Sequence, residues 1–202
     1  RSVDFSPDGK LLAVGSFDGQ VGLCNVARRE FEWRSEDGRY VDAVAFSPDG
    51  TLVASANQGF QEPGIPAGIK LRDAVTGRVL HRTTAAAAAV RVSVIRFSPD
   101  GDSLATGSGD GAVRLFNRGL KIVAELKGHA SAVQSLVYLD SNTLASGSSD
   151  NTVRLWDLAT HSLRDTLKGH SGAVRSVARS RDGKLLVSAG IVHTVRLWQM
   201  DW

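Results

Sequence analysis

The sequence predicts an all-β fold built from repeated antiparallel sheets, and three observations carry that expectation. A unit of about 41 residues recurs: Phe5, Phe46, Phe97, Tyr138 and Arg179 head corresponding turns at spacings of 41, 51, 41 and 41. Within the unit from Lys127 to Asp157, three short runs (AVQSLVYL, TLASGS and TVRLWD) show strand alternation and are separated by turn clusters at 140–142 and 149–151. Val, Leu, Ala, Ser and Gly dominate while aromatic residues are only 6% of the chain, which suits short stacked strands better than helices.

Five copies occupy the whole chain as one repeat region, over approximately 1–33, 34–85, 86–125, 126–166 and 167–202. Copy one opens inside a first strand, RSVDFS, and continues through KLLAVGSFDG and QVGLCNV. Copies one, two and three carry FSPDG in full, where Pro presets φ and Gly takes the conformation a Cβ disfavours. Copy two has about seven extra residues, including GFQEPGIPAG, before an Arg72-Asp73 pair that stands where copy four has Trp-Asp. Its Pro and Gly content reads as a loop. About three further residues near Thr83 to Arg91 precede copy three and include the run Ala85–Ala89, too short to hold a helix alone. Copy three has Phe116 in place of the Trp. Copies four and five begin Gly128-His129 and Gly169-His170, and copy five ends in LWQ with no fourth strand after it. The strand that normally precedes copy one is missing and no outer strand follows copy five, so the expectation is a piece of a longer array.

With 42% hydrophobic residues in 202, the chain can bury a substantial core. The net charge is +3 and the basic residues are scattered among acids rather than run together, so nucleic acid is an unfavoured partner. Cys24 is the one cysteine, which excludes an internal disulfide framework and suits a reducing compartment. No apolar run approaches a membrane span of about 20 residues, and the start shows no signal-peptide pattern. The expected location is the cytoplasm, with the nucleus as the alternative. His81, His129, His161, His170 and His193 lack ligand spacing, so no metal and no cofactor is expected.

The dipeptide GH, the GSSD turn and the closing WD make this chain resemble the WD40 repeat family. That resemblance implies a β-propeller of five blades, each a four-stranded antiparallel sheet except where a terminal strand is missing, within a family whose rings usually have about seven. The chain could close by itself, stay an open arc, or associate with another chain through unpaired edge strands. The resemblance also implies a hydrogen-bonded tetrad in each blade, complete here only as His129, Ser146, Asp150 and Trp156. Copy five keeps His170, Ser188 and Trp198 but has Val192 in the Asp position, which predicts a broken network. Copy three keeps Thr106 and Asp110, copy two Ser55, and copy one Asp18, with Val14 and Cys24 in the Ser and Trp columns.

Ser, His and Asp are also the residue types of a hydrolase, but no G-x-S-x-G surrounds Ser146 and a Trp completes the set, so the expectation is architecture rather than catalysis. The Arg or Lys of the third strand (Lys70, Arg114, Arg154, Arg196) is expected to form structural ion pairs, and Cys24 to be a buried thiol. The insertions at 57–68 and 83–89 belong to connections that such propellers direct to one face. Phe60, Ile65 and Pro66 are therefore expected to join Arg1, Tyr40, Asp42, Arg91 and Arg175 in a partner-binding rim. The function this implies is a non-catalytic scaffold for a protein or peptide. The alternatives are the C-terminal sensor region of a larger nucleotide-dependent signalling protein, although no P-loop is present, and a propeller enzyme.

Overall fold

The computed structural model describes residues 1–58, 68–83 and 91–200, apart from the side chains of Arg39 and Gln58. Among these residues there are nineteen strands, no helix and five antiparallel sheets. Sheet one contains β1 (Ser2–Phe5), β2 (Leu11–Gly15), β3 (Gln20–Asn25) and β4 (Glu30–Glu36). Sheet two contains β5 (Arg39–Phe46), β6 (Leu52–Gln58), β7 (Gly68–Asp73) and β8 (Val79–Arg82). Sheet three contains β9 (Val92–Phe97), β10 (Ser103–Ser108), β11 (Val113–Asn117) and β12 (Ile122–Leu126). Sheet four contains β13 (Val133–Tyr138), β14 (Thr143–Ser148), β15 (Val153–Asp157) and β16 (Ser162–Leu167). Sheet five has three strands, β17 (Val174–Arg179), β18 (Leu185–Gly190) and β19 (Val195–Gln199). In every sheet the strands pair in chain order, as a meander.

The turn between first and second strands is built by its own side chains. In SPDG the Ser hydroxyl donates to the Asp carboxylate, and that carboxylate accepts the backbone N–H two residues on, at 3.1 Å for Lys10 and 3.0 Å for Thr51. The Gly that follows sits at φ +71° in both copies. Ser180-Arg181-Asp182-Gly183 forms the same turn without the Pro, with Lys184 N–H 3.1 Å from Asp182 and Gly183 at φ +74°. Ser and Asp, rather than Pro, are therefore the residues this turn requires.

Sheets pack face to face in chain order, and β1, β5, β9, β13 and β17 lie side by side. Side chains of one first strand satisfy backbone donors of the next: Phe46 N–H donates to Asp4 at 2.7 Å, and Val177 N–H to Ser135 at 3.1 Å. Val113 and Leu115 of sheet three pack with Val133, Leu136, Tyr138 and Trp156 of sheet four, and Val153 and Leu155 repeat the arrangement against sheet five. Close approach needs a residue without Cβ on the second strand. A Cβ at Gly107 or Gly147 would lie 2.5 or 2.7 Å from a methyl of Val133 or Val174 in the following sheet.

The same columns reveal where the packing stops. Phe46 is 7% exposed but its counterpart Phe5 is 57% exposed, and Leu155 is 5% exposed but its counterpart Leu197 is 68%. The described residues form an open arc with an uncovered apolar face at each end, not a closed ring. Cys24 lies in one of those faces, so it is half-buried rather than buried as its column suggests.

Candidate functional site

In sheet four the tetrad is a continuous chain of hydrogen bonds. Trp156 Nε1–H donates to Ser146 Oγ at 2.8 Å, Ser146 Oγ lies 2.7 Å from His129 Nε2, and His129 Nδ1 lies 2.8 Å from Asp150 Oδ2. A carboxylate beyond Nδ1 demands a proton there, which leaves Nε2 to accept the Ser hydroxyl proton. Asp150 also accepts from Ala130 N–H, Thr152 N–H and the Thr152 hydroxyl. Burial pushes the Asp150 carboxyl up, but hydrogen bonds from Thr152 and His129 outweigh it and hold the group at about 2. Burial lowers the His129 imidazole below its ordinary value against the pull of Asp150. The neutral ring that the hydrogen-bond chain requires is the one its surroundings favour.

Ser146 is completely buried, with its hydroxyl committed at both ends. This burial gives the hydroxyl none of the exposure beside an oxyanion hole that a nucleophile needs, and the hydrogen bonds tie the segment before β13 to β14 and β15. Ser146→Ala is expected to cost about 1–3 kcal/mol, because it orphans the Trp156 N–H and the His129 Nε2 together. A lowered melting temperature is the readout.

Sheet five corrects the expectation of a broken network. His170 Nε2 is 2.7 Å from Ser188 Oγ, which accepts Trp198 Nε1–H at 2.8 Å, and Thr194 Oγ1 stands 3.0 Å from His170 Nδ1. Thr194, the counterpart of Thr152, which lies 3.3 Å from His129 Nδ1, remains as the Nδ1 contact without a carboxylate. Burial again lowers the imidazole, aided by Arg196. For both histidines the folded pKa lies below the unfolded value of about 6.5, so below that pH the unfolded chain binds protons the native state resists. Stability should therefore fall as pH drops from 7 to 5, with the Asp150 contribution lost later, between about 4 and about 2. Replacing His170 by Gln should flatten part of the upper limb of melting temperature against pH and leave the lower one, whereas replacing His129 should alter both, because His129 also helps hold the Asp150 carboxyl low.

The other copies depart further. Asp18 caps its own turn, accepting from the Ser16 hydroxyl and from Gln20 N–H at 3.3 Å. Thr106 is buried, and Asp110 pairs with Arg114 at 2.6 Å rather than with an imidazole. In sheet two, Ser55 belongs to a network that sequence reasoning missed. Asp37 accepts from the Ser55 hydroxyl at 2.8 Å, from Lys70 at 2.8 Å and from Arg72, and Arg72 Nη1 donates to Ser55 at 2.9 Å. Arg72 is 1% exposed and Asp37 3%. The signal was present: Asp37 precedes Phe46 by the nine residues that separate His129 from Tyr138, and Arg72 pairs in the Trp register. An ion pair thus replaces imidazole and indole.

The recurring third-strand cation also has several partners. Lys70 pairs with Asp37, Arg114 with Asp110 and Glu125, and Arg196 donates to Gly169 C=O at 2.6 Å. Sheet one has Gly22 at this position, and Arg34, its cross-strand partner, stacks on Phe31 at 3.8 Å.

The rim expected from the sequence lies where the first strands begin. In β5, β9, β13 and β17 a bulge leaves Asp42, Ser93, Gln134 and Arg175, respectively, outside the ladder, and a bulge re-aims the side chain it carries. A second bulge in β5 takes Tyr40 out of the strand register at φ +54°, a strained value for a bulky residue. Asp42 is clamped by Arg1 at 3.1 Å and by Arg91 at 3.0 Å. Tyr40 meets the ring of Phe17 edge-on, 4.4 Å between centroids, and the Arg1 guanidinium lies 4.8 Å from the Phe17 centroid. Arg1, Tyr40, Asp42 and Arg91 therefore come together across sheets one to three. Arg175 sits on sheet five, donating to Gln134 at 3.1 Å. Phe60, Ile65 and Pro66, with most of both insertions, lie outside the described residues. Phe17 was missed, although its place beside Asp18 in a second-to-third-strand loop put it at this end. Among the described residues, no three His, Cys, Asp or Glu side chains form a group able to hold a metal. The described residues contain no helix long and apolar enough to cross a membrane.

The family model described as "WD domain, G-beta repeat" matches residues 1–25, 30–59, 78–117, 120–157 and 161–199. The chain is 26% identical over 95% of its length to Protein tipD of Dictyostelium discoideum, of which it covers 29%. It is 29% identical over 83% of its length to COMPASS component SWD3 of Saccharomyces cerevisiae, covering 51% of that protein. To Nuclear distribution protein PAC1 of Arthroderma benhamiae it is 32% identical over 80%, covering 36%. The chain thus spans between about a quarter and a half of these relatives.

Proposed function

The chain belongs to the WD40 repeat family, and on that premise we propose that it is a non-catalytic scaffold holding a protein or peptide partner across the rim where the first strands begin. WD40 repeat proteins are generally protein-interaction scaffolds. One observation carries the reading to this rim: Tyr40 on the bulged backbone of β5 and Phe17 in the turn between β2 and β3 meet edge-on with Arg1 against them, and Phe17 is 58% exposed. Tyr, Arg and other aromatics at the centre of a patch are the residues that dominate binding energy elsewhere. Rigid sheets below spare the ordering cost of association.

The test compares pull-downs from the source organism with the intact chain, with Phe17→Ala/Tyr40→Ala, and with residues 59–67 deleted. A partner retained by the intact chain and lost from either variant, with melting temperature preserved, supports the rim. A partner held equally by all three removes it. A second reading, a sensor region of a larger signalling protein, draws on the greater length of the relatives. It calls for a nucleotide-binding sequence in the same reading frame, which sequencing the native transcript would reveal or exclude.

A further inference from the structure

The described side chains at this rim are unbalanced in charge. Arg1 and Arg91 share one carboxylate, that of Asp42, which is almost wholly buried, while the Arg91 side chain is 51% exposed. Arg175, at the equivalent bulge of sheet five, is exposed and is held by an amide, Gln134, which itself donates to Ser149 at 2.9 Å. Ser93 and Gln134, the bulge residues between, are neutral. Asp18, next to Phe17, is turned into its own loop by Ser16 and Gln20. Three guanidiniums, from the starts of the first strands of sheets one, three and five, thus stand against a single carboxylate among the described rim side chains. Each is oriented by a partner that leaves guanidinium N–H groups over, the arrangement that favours carboxylate recognition.

We infer that the partner of this rim is an acidic peptide segment with an aromatic side chain, its carboxylates meeting Arg91 and Arg175 and its ring seated on the exposed edge of Phe17. The inference rests on the rim reading above and adds the chemistry of the ligand. A peptide is favoured over nucleic acid because the three cations are isolated points on separate strands. A tracked phosphate backbone calls for a continuous basic groove. Charge complementarity of this kind sets orientation and association rate and is screened by salt.

Fluorescence anisotropy of the full chain tests it with three labelled probes: a peptide of Asp and Glu residues flanking one Phe, the same peptide with Lys at every acid, and oligouridylate. The acidic peptide should bind, the Lys version should not, and raising the salt should weaken binding. Arg175→Glu removes the guanidinium that hydrogen-bonds Gln134 and should weaken the acidic peptide about tenfold. Arg91→Glu should do the same, with circular dichroism checking the fold because it also faces Asp42. Equal affinity for the Lys peptide, tighter binding of oligouridylate, or an unchanged affinity in a folded Arg175→Glu variant would overturn the charge assignment. If the acidic probe fails while a captured partner still depends on Phe17 and Tyr40, the ligand chemistry is wrong and the rim reading stands. Loss of that dependence too removes both.

Discussion

Asp37→Ala is expected to cost about 3–5 kcal/mol, the largest effect of any single polar substitution in this chain, because it leaves the Arg72 guanidinium buried without its counter-ion. Lys70, with 24% of its side chain exposed, can turn to water, whereas Arg72 cannot. Arg72 Nε already lacks a hydrogen-bond partner, and the Ser55 hydroxyl that Nη1 reaches carries no charge to replace the lost carboxylate. The decisive comparison is the double variant Asp37→Ala/Arg72→Met, in which packing replaces the pair and most of the loss should return. Urea midpoints for the two would measure it. A single variant within about 1 kcal/mol of the parent would show that the ion pair is not a buried one in solution.

Trp156→Ala should be comparably severe, at about 3–5 kcal/mol. The ring is 1% exposed, packs in the cluster with Leu136, Tyr138 and Leu144, and supplies the donor that holds Ser146. Trp156→Phe keeps most of the packing and loses that donor, so it should cost about 1 kcal/mol. Trp198 provides the internal control. It makes the same bond to Ser188 but is only partly buried, and Trp198→Ala should cost visibly less. Equal losses at the two positions would mean that the indole hydrogen bond, not burial, dominates.

The sheets were readable from the sequence because their cause is local. Turn chemistry at Ser6, Asp8 and Gly9 recurs in four of the five repeats, and alternation fixes which side chains face the next sheet. The polar networks were readable only where residue identity is kept, as at His129, Ser146, Asp150 and Trp156. Where function is kept but chemistry changes, column matching by residue type fails. Asp37 and Arg72 do the work of imidazole and indole by an ion pair, and Thr194, the counterpart of Thr152, keeps the His170 Nδ1 contact without a carboxylate. The rim was partly legible. Arg1, Tyr40, Asp42 and Arg91 could be placed at strand starts, but which of them touch depends on bulges, and nothing in the residue order announces a bulge at Tyr40 or Asp42. Phe17 joins them through folding of a separate sheet.

The division between buried polar groups that hold the sheets and rim side chains that meet other molecules is tested most directly by one affinity. Ser146→Ala, kept well below its lowered melting point so that it is folded, should bind a partner captured by the intact chain with unchanged affinity. If the folded variant instead loses that partner while its sheets remain intact by circular dichroism, the tetrad takes part in recognition and the division fails.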